Sequence, residues 1–267
     1  MQAVRAGSII EWLGAQTVAG LTYLSDLGAL VVQAFLDVGA GGARGRREAF
    51  RVITRQILFT GVDALPVVSV IALLLGIIVI TQAGTQLPLV GAENLIGSII
   101  VVVVIRELGP LLTAFIVIGR SGTAITTELG NMRVGQEATA LQLMGIRVTR
   151  FIIMPRVVGV ILAMVCLTFY FDLVSVLGGF FIAKLELTIP FAAFADSVIK
   201  TLSSMDVLVT ALKSALFGTI VAAIGCHHGM AVGNSSTEVP QQTTKAMINS
   251  VTICLVADML IACAVYL

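Results

Sequence analysis

Five long apolar blocks constrain the fold of this chain more than any other feature of its sequence. They cover roughly residues 62–83, 95–118, 151–182, 207–227 and 246–267. Each block is close to or longer than the ~20 residues that an α-helix needs to cross a bilayer. Only 12% of the residues are charged, whereas soluble domains carry roughly twice that share. The sequence therefore predicts an all-α integral membrane protein with five transmembrane helices.

The basic residues predict how these helices are oriented. Twelve lie in segments 1–61, 119–156 and 227–245, whereas segment 183–206 holds two and segment 84–94 holds none. Cytoplasmic loops carry the excess of lysine and arginine in membrane proteins. We therefore expect a cytoplasmic N-terminus and a C-terminus on the opposite side.

The first 61 residues are predicted to form interfacial and cytoplasmic helices, ahead of a five-span membrane domain over 62–267. Within residues 1–40, apolar side chains recur at helical spacing, but acidic residues interrupt them at Glu11, Asp26 and Asp37. This pattern favours an amphipathic helix that lies on the membrane or against another helix. A tilted membrane span is the alternative.

The polar segment between the second and third blocks is patterned as a helix over residues 128–144. Its apolar positions are Leu129, Met132, Ala140, Leu141 and Met144, and its polar positions include Arg133, Gln136, Glu137 and Gln142. An amphipathic helix between two membrane spans can dock into a groove on another protein. The alternative is a helix that rests on the lipid surface.

Two full charges, Arg106 and Glu107, lie inside the second apolar block. A charge at the bilayer centre costs at least about 2.5–3.5 kcal/mol, so such residues favour a functional role. Pro110 follows closely and removes a backbone hydrogen bond. The alternative is a structural ion pair between helices, which is also the role that we expect for Asp172, Lys213 and Asp258.

Several classes of function are disfavoured by the sequence. The chain has no GxxxxGK[ST] motif, so it cannot hydrolyse ATP by that route. It has no HExxH motif and no convincing Ser/His/Asp set. The four cysteines and the neighbouring His227 and His228 lack metal-ligand spacing. A net charge of +1 gives no basic face for nucleic acid. We therefore expect no catalytic site, metal or cofactor in this chain.

Several short motifs resemble one family of permeases. These motifs are RELGP, GRSGTAITTELGNMRV, ALQLMGI, PRVVG, IGCHHG and TTKAMINS. In order and spacing they are similar to the permease subunit of MCE-associated lipid ABC transporters, the MlaE/YrbE family. The resemblance covers roughly residues 45–267.

This resemblance implies a five-span homodimer in the bacterial inner membrane. The implied partners are a cytoplasmic ABC ATPase, which binds ATP and Mg²⁺, a periplasmic ring of MCE-domain proteins and a small STAS-type accessory subunit. A phospholipid would occupy a cavity between the two permease subunits. The implied function is to move glycerophospholipids between the inner and outer membranes, which maintains outer-membrane lipid asymmetry.

The resemblance also assigns roles to individual residues. Arg106 and Glu107 match a charged pair near the lipid cavity, and the Arg106 guanidinium suits a lipid phosphate. The residues that match or extend the ATPase-coupling helix are Glu128, Leu129, Met132, Arg133, Glu137 and Leu141. The family often has Glu-Gln-Ile-Asp-Ala-Leu-Glu in this helix, where this chain has the less acidic QEATALQ. The identity of the ATPase therefore stays open.

Two other functions compete with this interpretation. A proton-coupled secondary transporter of an amphipathic substrate could use Glu107, Asp172 and Asp258 as a proton relay. An enzyme that acts on lipids within the membrane is the third candidate. A docking helix disfavours the proton relay, because a relay has no need of one.

Overall fold

The computed structural model describes residues 18, 20, 22–34, 36, 43–91, 95–186, 191–233 and 235–266. Every regular element within these ranges is a helix. Five of the helical segments are long and apolar enough to cross a membrane, and they are Phe50–Gln86, Ile96–Val134, Thr149–Leu185, Ser204–Met230 and Glu238–Val265. The all-α, five-span membrane fold predicted from the sequence is therefore confirmed.

We number the helices in chain order from residue 43. They are α1 (Ala43–Thr60), α2 (Leu65–Gln86), α3 (Ile96–Val134), α4 (Glu137–Leu143), α5 (Met154–Glu186), α6 (Phe191–Thr201), α7 (Ser204–Met230) and α8 (Glu238–Tyr266). Short 3₁₀ turns at Val62–Ala64 and Pro88–Val90 flank α2. Residues 22–34 are also helical. The remainder of the amphipathic helix predicted over 1–40, including Glu11 and Asp37, lies outside the described residues.

The long helix α5 lies at the centre of the bundle and packs against α1, α2 and α7. Glycines allow its backbone to approach α2 closely. A Cβ atom on Gly76 would collide with the backbone of Ser175, and one on Gly178 would meet the backbone of Leu73. The Ser175 hydroxyl donates to the Ala72 carbonyl at 2.8 Å. Small residues at the interface are the usual way for membrane helices to pack tightly.

Helix α8 leaves most of its apolar surface uncovered. Only 11% of the residues in its most apolar stretch are buried within the described chain. Val256, Met259 and Leu260 are among its exposed side chains. An exposed apolar surface of this extent needs a bilayer or another protein around it.

The polar segment after α3 differs from its predicted form. The continuous helix expected over 128–144 is wrong, because α3 extends through Val134 and a separate helix, α4, begins at Glu137. Between them, Gln136 has a φ of 59°, in the left-handed region. Gly135 ends α3 and donates its N–H to the Asn131 carbonyl. A glycine at a helix end followed by a left-handed residue stops a helix.

Candidate functional site

The backbone of α3 departs from regular α-helix geometry where it carries its two charges. Ile100–Leu108 is π-helical, and the Gly109 N–H bonds the Val104 carbonyl instead of that of Ile105. Pro110 has no N–H to offer the Arg106 carbonyl. The Ile105 and Arg106 carbonyl groups therefore lose their usual α-helical donors and can accept hydrogen bonds from another helix.

Helix α7 supplies both donors. The Thr210 hydroxyl donates to the Ile105 carbonyl at 3.3 Å, and the Lys213 ammonium donates to the Arg106 carbonyl at 3.1 Å. Both donors are buried. Since π-helical turns are frequent at functional sites, the pairing of this segment with α7 marks the site.

The guanidinium of Arg106 pairs with Asp206 on α7 rather than with its neighbour Glu107. Arg106 Nε lies 2.9 Å from Asp206 Oδ1, and Arg106 Nη2 donates to Asp206 Oδ2 at 3.0 Å. Asp206 Oδ2 also accepts the Ser203 N–H at 2.9 Å, which completes a capping box at the start of α7. Asp206 therefore both caps α7 and binds α7 to α3.

Lys213 joins three helices. Its side chain is completely buried, and its Nζ lies 2.9 Å from Glu107 Oε2 on α3 and 3.0 Å from Asp258 Oδ1 on α8. The structural ion pairs predicted for Lys213 and Asp258 are confirmed. We refer to Arg106, Glu107, Asp206, Lys213 and Asp258 as the ionic cluster.

The ionic cluster lies nearer one end of the bundle than its middle. Arg106 is ten residues from the start of α3 at Ile96, a depth of roughly 15 Å at 1.5 Å per residue. Arg106 and Glu107 lie near the middle of the apolar block 95–118, and α3 continues for 28 residues beyond Arg106 to Val134. The apolar block 95–118 is only the first part of that helix.

The charges of the ionic cluster limit how it can bind an anion. Three carboxylates face two cations, so the fully ionised cluster carries a net negative charge. Arg106 and Glu107 keep 24% and 34% of their side chains exposed, so a ligand can reach them. A phosphate at Arg106 has to compete with the bidentate contact to Asp206. The lipid-binding roles of Arg106 and Glu107 stay predictions.

Asp172 on α5 lies beside Gly109 of α3. It is buried, and neither carboxylate oxygen has a hydrogen-bond partner among the described residues. The prediction that Asp172 forms a structural ion pair is therefore wrong for the described part of the chain. A Cβ atom on Gly109 would collide with this carboxylate, so the glycine of RELGP makes room for Asp172.

The six predicted coupling residues occupy different environments. Leu129 is completely buried, and Met132 and Leu141 pack against the same core. Glu128 is ion-paired with Arg156 at 2.6 Å. Arg133 is half-buried and Glu137 is exposed. In this conformation the Leu129 side chain supports α3 from within, and the coupling roles of the six residues stay predictions.

Two exposed apolar residues follow on the same segment. Leu143 and Met144, at the end of α4, are 85% and 73% exposed. The helical pattern included Met144 among the apolar positions but not Leu143. The sequence analysis did not assign Leu143 and Met144 to the site, because a buried apolar stripe and an exposed docking surface give the same sequence pattern.

A polar network joins the N-terminal helical segment to the ends of α7 and α8. His228 Nδ1 lies 2.9 Å from Gln242 Oε1, and His228 Nε2 lies 3.2 Å from the Tyr23 hydroxyl. Asn249 Nδ2 lies 3.1 Å from the same His228 nitrogen. Burial raises the pKa of the Tyr23 phenol above its usual value of 10.0, so the hydroxyl stays protonated at neutral pH. No sequence pattern predicts this contact, which joins residues 205 positions apart.

Comparison with known proteins identifies the family of this chain. The family described as Permease MlaE matches residues 53–264. The chain belongs to the MlaE permease family. The match begins within α1 and extends into α8, so it includes the ionic cluster and α4. The family predicted from the RELGP and GRSGTAITTELGNMRV motifs is confirmed.

Individual relatives agree with this assignment. A probable ABC transporter permease protein of Rickettsia prowazekii is 33% identical over 210 residues, which are 79% of this chain and 81% of the relative. A protein of the same description from Synechocystis is 29% identical over 221 residues, or 83% and 82% of the two chains. The intermembrane phospholipid transport system permease protein MlaE of Haemophilus influenzae is 25% identical over 256 residues, or 92% and 98%. This MlaE-family chain is therefore a multi-pass membrane permease of the ABC type.

Proposed function

We propose that this chain is the permease subunit of an ABC transporter that moves glycerophospholipids between the inner and outer bacterial membranes. It would thereby maintain the lipid asymmetry of the outer membrane. The observation that carries the proposal is the MlaE family match over residues 53–264. The phospholipid substrate is supported by the Haemophilus influenzae relative, whose description names intermembrane phospholipid transport.

The proposed assembly is a homodimer with partners on both sides of the inner membrane. A cytoplasmic ABC ATPase binds ATP and Mg²⁺, and this chain holds no cofactor and catalyses no reaction. A periplasmic ring of MCE-domain proteins and a small STAS-type subunit complete the complex. The uncovered apolar face of α8 supports a second protomer, since obligate interfaces between copies are strongly apolar.

In this proposal the ionic cluster lies at the lipid path, and Arg106 contacts the lipid phosphate. Its partly exposed guanidinium supports this role, and its contact with Asp206 holds it in place. When the lipid phosphate displaces the Asp206 carboxylate, the Arg106 guanidinium still has a bidentate oxyanion partner. Glu107, held by Lys213, positions the neighbouring backbone.

The test of the head-group role must separate lipid binding from folding. Arg106→Ala alone leaves the Asp206 carboxylate buried without its cation, which destabilises proteins. We therefore compare Arg106→Ala with the charge-neutral double variant Arg106→Ala/Asp206→Asn. Both are reconstituted with the ATPase and MCE proteins, and co-purified phospholipid and ATP-dependent transfer of a labelled phospholipid are measured. A folded double variant with unchanged lipid occupancy and transfer would refute the head-group role.

The ATPase contact is tested on α4. Leu143→Asp places a charge on an exposed side chain that packs against nothing in the core, so it should leave the fold intact. We expect it to reduce recovery of the ATPase when the complex is purified. Leu89→Asp is the matched control, because Leu89 is equally exposed but lies after α2, away from α4. Equal ATPase recovery from both variants would contradict docking at α4.

One observation favours proton-coupled transport as a second candidate. Asp172 is a buried carboxylate without a hydrogen-bond partner among the described residues, and such groups inside membranes often carry protons. Glu107 and Asp258, by contrast, are both engaged by Lys213. Transport by the reconstituted chain with a proton gradient and no ATPase, lost in Asp172→Asn, would favour this candidate over the first.

A further inference from the structure

A cavity of about 510 Å³ lies between α1, the second half of α3 and the start of α5, far from the ionic cluster. Three arginines line it, namely Arg51, Arg55 and Arg156, and Glu128 is the only acidic side chain among its lining residues. These four groups carry two net positive charges. Its size is within the range of roughly 300–1,000 Å³ that is usual for small-molecule sites.

One guanidinium nitrogen of Arg156, a residue that lines this cavity, has no acceptor among the described residues. Its side chain is only 9% exposed, and its Nη2 pairs with Glu128. Its Nη1 is buried and has no hydrogen-bond partner among the described residues. A buried guanidinium nitrogen without an acceptor is costly, so Arg156 has capacity for a further oxyanion. Arg55, exposed on α1, adds a second positive charge to the lining of the cavity.

The other walls of the cavity are apolar and reach the surface. Phe59, Ile125, Phe151 and Ile152 line it, and the two phenylalanines are also exposed. Phe50 and Leu58 on α1 extend the apolar surface beyond the cavity. A site with arginines on one side and an exposed apolar surface on the other suits a ligand with an anionic head and a hydrocarbon tail.

The position of the cavity agrees with such a ligand. Helix α1 ends at Thr60, just before α2, the more apolar part of the first membrane-spanning segment, begins at Leu65. The cavity therefore lies at the boundary between the bilayer and the arginine-rich side that the charge distribution predicts to be cytoplasmic. No residue of α4 lines it, which separates it from the proposed ATPase contact. Basic pockets between membrane helices at this level bind anionic lipid head groups.

We propose that this cavity binds the phosphate-bearing head group of an anionic phospholipid from the adjacent leaflet. The phosphate oxygens bind Arg55 and Arg156, and the upper part of an acyl chain lies along Phe59 and Phe151. The chemistry recognised by the arginines is a phosphate oxyanion, which a phospholipid head group and inorganic phosphate both carry. The apolar wall favours the lipid as its source.

The test uses the full-length protein in detergent and native mass spectrometry. The protein is titrated with phosphatidylglycerol, with phosphatidylcholine and with inorganic phosphate. We compare Arg55→Gln and Arg156→Gln with Arg150→Gln, which removes a nearby arginine that does not line the cavity. We expect each cavity variant to weaken phosphatidylglycerol binding roughly fivefold, the usual effect of one basic residue at an anionic membrane surface. Arg150→Gln should bind like the wild type.

Each outcome decides the proposal. Arg55 is exposed and forms no ion pair with a described residue, so its replacement should leave the fold intact. Arg55→Gln therefore remains informative even if Arg156→Gln does not fold. Unchanged phosphatidylglycerol binding by folded Arg55→Gln would overturn the proposal. Inorganic phosphate that competes with phosphatidylglycerol at equal concentration would show a free-phosphate site instead. Displacement of bound lipid by the ATPase would show that a protein occupies the cavity. None of these measurements requires transport, so the result is independent of the proposed substrate path.

Discussion

Replacement of Lys213 by methionine tests whether the ionic cluster holds the bundle together. Lys213 is completely buried and donates to Glu107, to Asp258 and to the Arg106 carbonyl. Methionine keeps the length of the side chain but leaves two carboxylates and a carbonyl without their common donor. Removal of one partner from a buried ion pair costs about 3–5 kcal/mol. Because Glu107 remains 34% exposed to solvent, we expect a loss near the lower limit, about 3 kcal/mol.

The assay is the free energy of unfolding, measured by titration with sodium dodecyl sulfate in mixed micelles. The control is Lys200→Met, which removes the same type of residue from an exposed pair with Asp196 in α6. Exposed pairs contribute only about 0–1 kcal/mol, so this control should be nearly neutral. The double variant Lys213→Met/Asp258→Asn removes one of the two carboxylates that are left without a cation. It should therefore recover part of the lost free energy of unfolding. If Lys213→Met is no more costly than Lys200→Met, the ionic cluster does not stabilise the bundle and the reasoning is refuted.

Three further predictions concern the packing of the bundle. Gly76→Ala should destabilise the bundle by about 1–3 kcal/mol, because the added Cβ would meet the Ser175 backbone. The control Gly119→Ala has no atom near its added Cβ and should change the melting temperature little. Gly109→Ala should lower the melting temperature because of the Asp172 carboxylate, and Asp172→Ala in the same chain should restore it, whereas no rescue would contradict that contact. His228→Ala should speed amide exchange in residues 22–34 without lowering the protection of α5, since the imidazole binds Tyr23; unchanged exchange would exclude a docking role.

The membrane fold was predictable from the sequence because its signal is local. Each span depends on the apolar character of about 20 consecutive residues, and each of the five was found. The extent of the helices was less predictable. Helix α3 continues past its apolar block to Val134. The packing of Thr126 and its neighbours against α7 stabilises this extension. Hydropathy alone does not detect a polar helix that extends out of the bilayer.

The partners within the ionic cluster were less predictable, because they are separated by about a hundred residues in sequence. A local pattern did exist for Asp206, which stands three residues after Ser203 and ahead of an apolar run, as in a capping box. That pattern predicts the helix start but not the contact with Arg106. Lys213 follows Asp206 by seven residues, or two helical turns, which places both on one face of α7. The spacing indicates a polar face, whereas its partner helix is known only from the fold.

The RELGP motif explains why so many charges gather at one place. Its proline and the π-helical turn before it deprive two carbonyl groups of their usual α-helical donors, and the buried ammonium of Lys213 donates to one of them. An ammonium buried in this way requires carboxylates, which Glu107 and Asp258 supply. The contacts are therefore interdependent, since α3 cannot separate from α7 without breaking the Arg106–Asp206 pair and the Lys213 contacts together. A permease cycle that moves α3 against α7 would have to provide a ligand or water for all of these groups at the same step.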